Sequence, residues 1–167
     1  MPLKNYSILC ALAVVVLAAP AGAQSTTGMG AMQYYVGNWS CIGGPSVSPP
    51  VKATSTYVAD VGVLRQWTSV PKQGKMRAAY AFSAAVTYDA GRRRYVQTSL
   101  DNNAGWGVSV AKSWSGNTEL WRDLATDDGK LGRGKVVRTS RNAFTFTGFA
   151  TPTTTKPNFT VTCKRSS

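Results

Sequence analysis

A tryptophan and a cysteine near the start of the chain, matched by a second cysteine near its end, constrain the fold most strongly. Trp39 and Cys41 lie in the first strand-like segment, and Cys163 and Arg165 lie in the last. If these segments pair antiparallel with Cys41 opposite Cys163, then Arg165 falls opposite Trp39 on the same face, where a guanidinium over an indole is a favourable contact. The sequence therefore predicts a sheet whose first and last strands meet and are joined by a disulfide.

The first 23 residues have the features of a secretory signal peptide. A lysine at position 4 precedes an apolar run, and small residues end the segment at Ala23. The run is short for a transmembrane helix, and no later segment is long enough to be one. We expect a secreted or periplasmic protein cleaved near Ala23, with a flexible lead at 24–31 and one β-barrel domain at 32–167.

The cysteine count supports the same compartment. Cys10 lies inside the signal peptide, so cleavage leaves Cys41 and Cys163 as the only pair. In an oxidising compartment such a pair forms a disulfide. The alternative is two free thiols or metal ligands, and it is disfavoured because no third cysteine and no histidine remain to complete a metal site.

The absence of histidine also limits the chemistry. The chain has no histidine and 7 acidic residues in total. Ser-His-Asp and Cys-His nucleophile systems, and zinc or haem held by histidine, are therefore excluded. Several of the carboxylates stand beside turn residues, where they often bond nearby backbone amides. We expect a protein that is not an enzyme and that holds no cofactor and no metal. The alternative is a hydrolase that uses paired carboxylates, although no spacing of acidic residues in the sequence indicates one.

Turn signals at hairpin-like intervals separate short segments of strand-like composition, with no long helical pattern. One helical turn is predicted at 32–37. Ten strands are predicted, at 38–42, 51–58, 63–70, 78–88, 93–100, 106–114, 119–123, 135–139, 143–149 and 158–164. Sequential strands of this kind form an up-and-down meander, and closing the sheet removes its edges. The predicted fold is all-β, a single antiparallel up-and-down β-barrel of about ten strands.

Alternation within the strands predicts an apolar interior. Tyr80 and Phe82 share one face of their strand, and Trp106, Val110 and Trp114 share one face of another. In that phase Lys112 also points inward, as a polar contact. The candidate ligand-binding residues are Trp67, Tyr80, Phe82, Trp106 and Trp114, with Arg65 and Lys112 as polar contacts. The alternative is that these aromatic rings only fill a packed core.

Two segments carry a resemblance to known families. Gly37-Asn38-Trp39 after a one-turn lead resembles the G-x-W motif that opens the first strand of lipocalins and other calycin-like barrels. The tyrosine-aspartate turn at 88–91 and the following strand to Asp101 resemble a secreted bacterial family of unknown function with a lipocalin- or nitrobindin-like barrel. The resemblance implies such a barrel, with a basic residue of the last strand, here Arg165, packed over Trp39. Nitrobindin-type haem binding does not transfer, because its histidine ligand is missing.

The charge points to anionic partners. Lys and Arg number 19 against 7 acids, for a net charge of +12. The candidate basic surface comprises Arg92, Arg93, Arg94, Arg133, Lys135 and Arg138. Basic surfaces attract polyanions, but a secreted destination and the absence of a binding module argue against nucleic acid. The alternative is a solvated surface that serves solubility.

Two functions follow from these patterns. The first is binding of a small apolar or amphipathic ligand, anionic if the basic residues take part, inside the barrel. The second is a non-enzymatic interaction protein with a packed barrel, whose basic surface meets an anionic envelope polymer or a secreted protein. An open cavity favours the first function, and a filled interior favours the second.

Overall fold

A computed structural model describes residues 28–45, 49–74 and 76–166. The predicted signal peptide and the first part of the predicted lead lie outside the described residues. The described part of the chain begins with a 3₁₀ helix at Gly28–Tyr34, which starts before the predicted turn at 32–37. Among the described residues no helix is both long and apolar enough to cross a membrane.

Ten strands follow the helix, and each corresponds to a predicted strand. They are β1 (Gly37–Pro45), β2 (Val51–Asp60), β3 (Val63–Val70), β4 (Tyr80–Asp89), β5 (Arg94–Asp101), β6 (Trp106–Lys112), β7 (Thr118–Thr126), β8 (Arg133–Ser140), β9 (Ala143–Phe149) and β10 (Phe159–Arg165). Every strand pairs antiparallel with its neighbours in sequence, and β1 also pairs with β10. The fold is therefore a single closed antiparallel up-and-down barrel, as predicted.

The pairing of β1 with β10 has the predicted register. Cys41 stands opposite Cys163, and Trp39 stands opposite Arg165. The two cysteines form a disulfide that joins residues 122 positions apart. A bridge of this loop length stabilises a fold by about 4–5 kcal/mol in the chain-entropy account. Both cysteines are buried and line the barrel interior, so the bridge lies on the inward face.

Arg165 links the paired strands β1 and β10, which we call the seam, to the residues that precede β1. Its guanidinium carbon lies 4.4 Å from the Trp39 ring centroid. Its two terminal nitrogens donate hydrogen bonds to the carbonyls of Val36 and Tyr34. Gly37, the residue after Val36, has φ +122°, and a Cβ there would stand 2.7 Å from Arg165 Nη1. The glycine and the tryptophan of the G-x-W motif thus have separate roles, since one makes room for the guanidinium and the other stacks under it.

The 3₁₀ helix covers one end of the barrel, which we call the closed end. Met32 is 1% exposed there, and the Tyr95 hydroxyl donates a 2.8 Å hydrogen bond to the Gly28 carbonyl. Trp39 is fully buried and donates from Nε1 to the Tyr35 carbonyl at 2.7 Å. The described parts of the connections between β1 and β2 (49–50), β3 and β4 (71–74 and 76–79), β5 and β6 (102–105), β7 and β8 (127–132) and β9 and β10 (150–158) lie at the opposite end, which we call the open end.

Removal of the disulfide tests the seam. We expect the double substitution Cys41→Ala and Cys163→Ala to lower the free energy of unfolding by about 4 kcal/mol, because the unfolded chain regains its loop entropy. Urea denaturation of the variant and of the oxidised wild type measures the difference. Reduced wild type serves as the control and should match the variant. Equal midpoints for the variant and the oxidised wild type would contradict the assignment.

Candidate functional site

The barrel interior contains a cavity of about 670 Å³. Ligand pockets in proteins commonly have volumes of about 300–1,000 Å³. Met32 and Tyr35 of the closed end form its floor, and Val70, Tyr80 and Asn158 line it near the open end. The interior is therefore not fully packed, and its unfilled part lies above the helix-covered floor.

One side of the cavity is apolar. The inward residues of β8, β9 and β10 are Val136, Phe144, Phe146, Phe159 and Val161, and the Cys41–Cys163 bridge continues this wall onto β1. The Phe146 and Phe159 rings lie 5.3 Å apart between centroids. Each of these two rings lies over a glycine of a neighbouring strand, Gly134 and Gly148 respectively, where a Cβ would clash with it. Glycine at those positions keeps the rings against the wall and leaves the centre of the cavity open.

The other side carries polar groups on β2 and β3. Ser55 Oγ and Thr68 Oγ1 are 2.8 Å apart, and Gln66 Nε2 donates to Thr68 Oγ1 at 2.9 Å. All three side chains line the cavity. They form a connected patch of hydroxyl and amide groups that faces the aromatic wall.

A second polar row crosses β5, β6 and β7. Gln97, Ser109 and Asp123 are partners in successive register pairs, and all three line the cavity. Ser109 Oγ donates to Asp123 Oδ1 at 2.7 Å, and the Gly132 amide donates to Asp123 Oδ2 at 2.9 Å. The Gln97 side-chain amide makes no hydrogen bond to any described residue. It therefore offers both a donor and an acceptor to a molecule in the cavity.

Glu119 is a buried acid beneath the cavity floor. The side chain is 1% exposed, and Oε2 accepts hydrogen bonds from Tyr35 Oη at 3.2 Å and Trp121 Nε1 at 3.0 Å. Burial raises the pKa of Glu119 to about 7, although these hydrogen bonds and the Arg138 charge act in the opposite direction. Both of its donors, Tyr35 and Trp121, also line the cavity. The protonation state of Glu119 is thus coupled to the floor residues.

Arg138 belongs to the closed end and not to a solvated surface. Its guanidinium carbon lies 3.5 Å from the Trp114 ring centroid and 4.3 Å from that of Tyr34. It also donates a 3.0 Å hydrogen bond to the Ala31 carbonyl. The prediction that Arg138 is part of a basic surface is therefore wrong, because aromatic faces and a helix carbonyl take up this cation.

The other predicted basic residues do not form one face. Arg92 and Arg93 are exposed at the hairpin between β4 and β5, and Arg94 pairs with Asp89 at 3.5 Å. Lys135 is exposed on the outer wall of β8. Arg133 is half-buried near the open end, 4.2 Å over the Phe149 ring, and donates to the Thr154 carbonyl at 2.8 Å. The hairpin cluster and Arg133 lie at opposite ends of the barrel.

Only two of the predicted ligand-binding residues line the cavity. Tyr80 and Phe82 line the cavity, as the alternation of β4 indicates. Near the open end the Tyr80 hydroxyl donates to Asp101 Oδ2 at 3.3 Å, and burial together with that carboxylate raises the pKa of Tyr80 to about 12. Trp114 does not line the cavity, because β6 ends at Lys112 and the following chain turns Trp114 into the closed-end cluster with Arg138.

Trp67, Trp106, Arg65 and Lys112 point outward, so their predicted inward placement is wrong. Trp67 is 48% exposed and Trp106 is 46% exposed. In β6 the inward residues are the small ones, Ser109 and Ala111, whereas the larger side chains face out. In β3 the inward residues are Leu64, Gln66, Thr68 and Val70. The prediction assigned the more apolar face of each strand to the interior, but on β3 and β6 the cavity is bordered by the face that carries the small or polar side chains.

The polar cavity residues were not predicted. Gln66 alternates in phase with Leu64 and Val70, and this phase was the available signal for its inward position. For Gln97, Ser109 and Asp123 the sequence carries no comparable signal, since each lies in a strand whose opposite face is more apolar. Within the described residues, no group of three or more acidic, cysteine or histidine side chains is placed to hold a metal ion.

Comparison with known proteins identifies no family for this chain. No family model matches the chain, and no curated protein matches its sequence. Among solved structures, a redesigned β-barrel is similar at a TM-score of 0.47 and 10% identity, over 81% of this chain and 94% of that one. We draw no argument from a similarity at that level. Membership in the secreted lipocalin- or nitrobindin-like family therefore remains an expectation from the sequence.

The Glu119 site predicts a pH-dependent stability. Because the pKa of Glu119 is raised on folding, its stabilising effect is complete below the unfolded pKa of about 4.5 and is lost as the pH rises through about 7. Glu119→Gln keeps an acceptor for Tyr35 and Trp121 but does not titrate. We expect the variant to gain stability relative to wild type between pH 5 and pH 8, by about 3 kcal/mol at most. Urea unfolding of both proteins at the two pH values measures this gain, and a constant difference would show that Glu119 has an ordinary pKa.

Proposed function

We propose that this protein is a secreted or periplasmic carrier that binds one small amphipathic molecule inside the barrel. The observation that carries the proposal is the cavity of about 670 Å³ with an aromatic wall on one side and hydroxyl and amide groups on the other. An apolar body would lie against the Phe144, Phe146 and Phe159 side. Its polar group would reach the Gln66 or Gln97 amide. The buried disulfide supports the compartment, because such bonds persist in oxidising environments.

The charges near the cavity favour an uncharged polar group over an anion. The Asp123 carboxylate lines the cavity and repels anions. At the open end, Lys130 Nζ pairs with Asp128 Oδ2 at 3.1 Å, and Arg133 is held by the Thr154 carbonyl. The cavity lining thus holds two carboxylates, Asp123 and Asp128, against two cations, Lys130 and Arg133, and it carries no net positive charge that would attract an anion. We therefore infer a ligand with hydroxyl, carbonyl or amide groups, which narrows the class that the sequence alone suggested.

The alternative function, a packed barrel that works through a basic surface, has weaker support. The interior holds a cavity, and the basic residues named for that surface are divided between the two ends and the outer wall of the barrel. The exposed Arg92 and Arg93 hairpin is the remaining feature in its favour.

Binding of a neutral fluorescent probe tests the cavity. N-phenyl-1-naphthylamine, an uncharged aromatic amine, should bind at one molecule per barrel with enhanced emission, because the aromatic wall excludes water from it. Val161→Trp places an indole in the cavity and should abolish binding. Thr160→Trp adds the same side chain on the exposed outer face of β10 and is the matched control. Far-UV circular dichroism and urea midpoints confirm that both variants fold. Equal binding by the two folded variants would place the probe outside the cavity and contradict the proposal.

Competition at pH 8 tests the ligand class. We expect decanol to displace the bound probe at lower concentration than decanoate, since Asp123 opposes the carboxylate while Gln66 and Gln97 accept a hydroxyl group. Asp123→Asn should reduce the difference between the two competitors. Stronger displacement by decanoate would show that the site is built for anions.

A further inference from the structure

Trp67 and Trp106, which were wrongly predicted to point inward, belong to one row of side chains on the outer wall of the barrel. Successive register pairs connect Trp67 on β3 with Ser83 on β4, Leu100 on β5 and Trp106 on β6. Their side chains share the outward face, with Trp67 48%, Leu100 61% and Trp106 46% exposed. Because neighbouring strands are about 4.8 Å apart, the two indoles are separated by about 14 Å along the sheet. The small Ser83 between Trp67 and Leu100 leaves a depression in the row.

The depression is part of a surface groove of about 410 Å³. Around Trp67 and Leu100 the groove is lined by side chains with hydroxyl or amide groups, namely Thr54, Thr56, Ser69, Ser83 and Asn102. The indole offers a flat apolar face, and the surrounding side chains both donate and accept hydrogen bonds. A sugar ring has the matching chemistry, since its C–H face is apolar and its edge carries hydroxyl groups.

The groove lacks the positive charge that the chain carries as a whole. The chain carries a net charge of +12, yet none of the described residues that line the groove is a lysine or an arginine. Its one carboxylate, Asp101, is occupied within its own turn. Asp101 accepts hydrogen bonds from the Asn103 and Gly105 amides and from the Tyr80 hydroxyl. Apart from the Asp101 carboxylate, the groove presents neutral polar groups, and such a lining suits an uncharged polymer and does not suit a polyanion.

The apolar area is small for a protein interface. The two half-exposed indoles and Leu100 offer about 300 Å² of apolar side chain, since one aromatic side chain covers about 150–250 Å² in full. A stable protein–protein contact buries about 800 Å² per partner. A second copy of the chain would need a larger apolar surface than this row provides. A linear polysaccharide needs only spaced stacking platforms along one line.

From these observations we propose that the outer wall of β3–β6 is a binding site for a neutral polysaccharide, on the opposite side of the sheet from the cavity, with which the groove shares Thr68 and Phe82. One sugar ring stacks on Trp67 within the groove, its hydroxyl groups bond to the neighbouring serine, threonine and asparagine side chains, and the chain extends along the row toward Trp106. A protein that binds a small molecule inside would thereby also be retained on a glycan outside.

Isothermal titration with cellohexaose and with chitohexaose, two neutral hexasaccharides, tests the site. We expect the wild-type protein to bind at least one of them, and Trp67→Ala to weaken that binding about tenfold, the equivalent of 1.4 kcal/mol. Trp67→Phe should recover part of the affinity, because it restores a stacking face. Ile42→Ala is the matched control, since Ile42 is 52% exposed on the outer face of β1, outside the groove. Saturating N-phenyl-1-naphthylamine should leave hexasaccharide binding unchanged.

Two results would overturn the proposal. The first is no heat of binding with either hexasaccharide at millimolar concentration, or equal affinities for wild type and Trp67→Ala. The second is a concentration-dependent dimer in size-exclusion chromatography that Trp67→Ala abolishes, which would make the row an interface between copies of the chain.

Discussion

The antiparallel pair of β1 and β10 holds the sheet closed, and the interior exists only because of that closure. The Cys41–Cys163 disulfide and the Trp39–Arg165 contact lie two residues apart in the same register. The first restricts the unfolded chain, and the second anchors the entry of the chain through the carbonyls of Tyr34 and Val36. With the seam in place, the preceding 3₁₀ helix is held over one end of the barrel, and the floor of the cavity is defined.

Three charged or titratable side chains whose burial is unfavourable lie at the closed end. Arg138, Arg165 and Glu119 are held there among aromatic rings, each with hydrogen-bond partners. The remainder of the interior is divided between an aromatic wall and a polar side. The division depends on side-chain size. Gly134 and Gly148 leave room for the Phe146 and Phe159 rings against the wall, and Ser55 and Gln66 lie on the opposite side of the cavity. Under the proposed function, a site of this kind would orient an amphipathic molecule through its aromatic wall and its hydroxyl and amide groups.

The fold was predictable from the sequence to an unusual degree, and the site was not. Turn signals locate all ten strands, and the spacing of Trp39 and Cys41 against Cys163 and Arg165 predicts the register of the closing pair. Strand alternation shows which residues share a face but not which face is inside. For β4 the apolar face is inside, whereas for β6 the larger apolar residues Trp106 and Val108 face outward. The rule that apolar faces point inward therefore holds for some of the strands that border the cavity and fails for others, so it does not assign the inward face of each strand.

Native mass spectrometry of the mature protein, purified from the cells that produce it, tests the carrier account most directly. The account predicts a 1:1 complex with a small uncharged amphipathic molecule, whose mass is lost when the same sample is denatured. A native mass equal to that of the disulfide-closed chain alone, in protein that also fails to take up N-phenyl-1-naphthylamine, would contradict it.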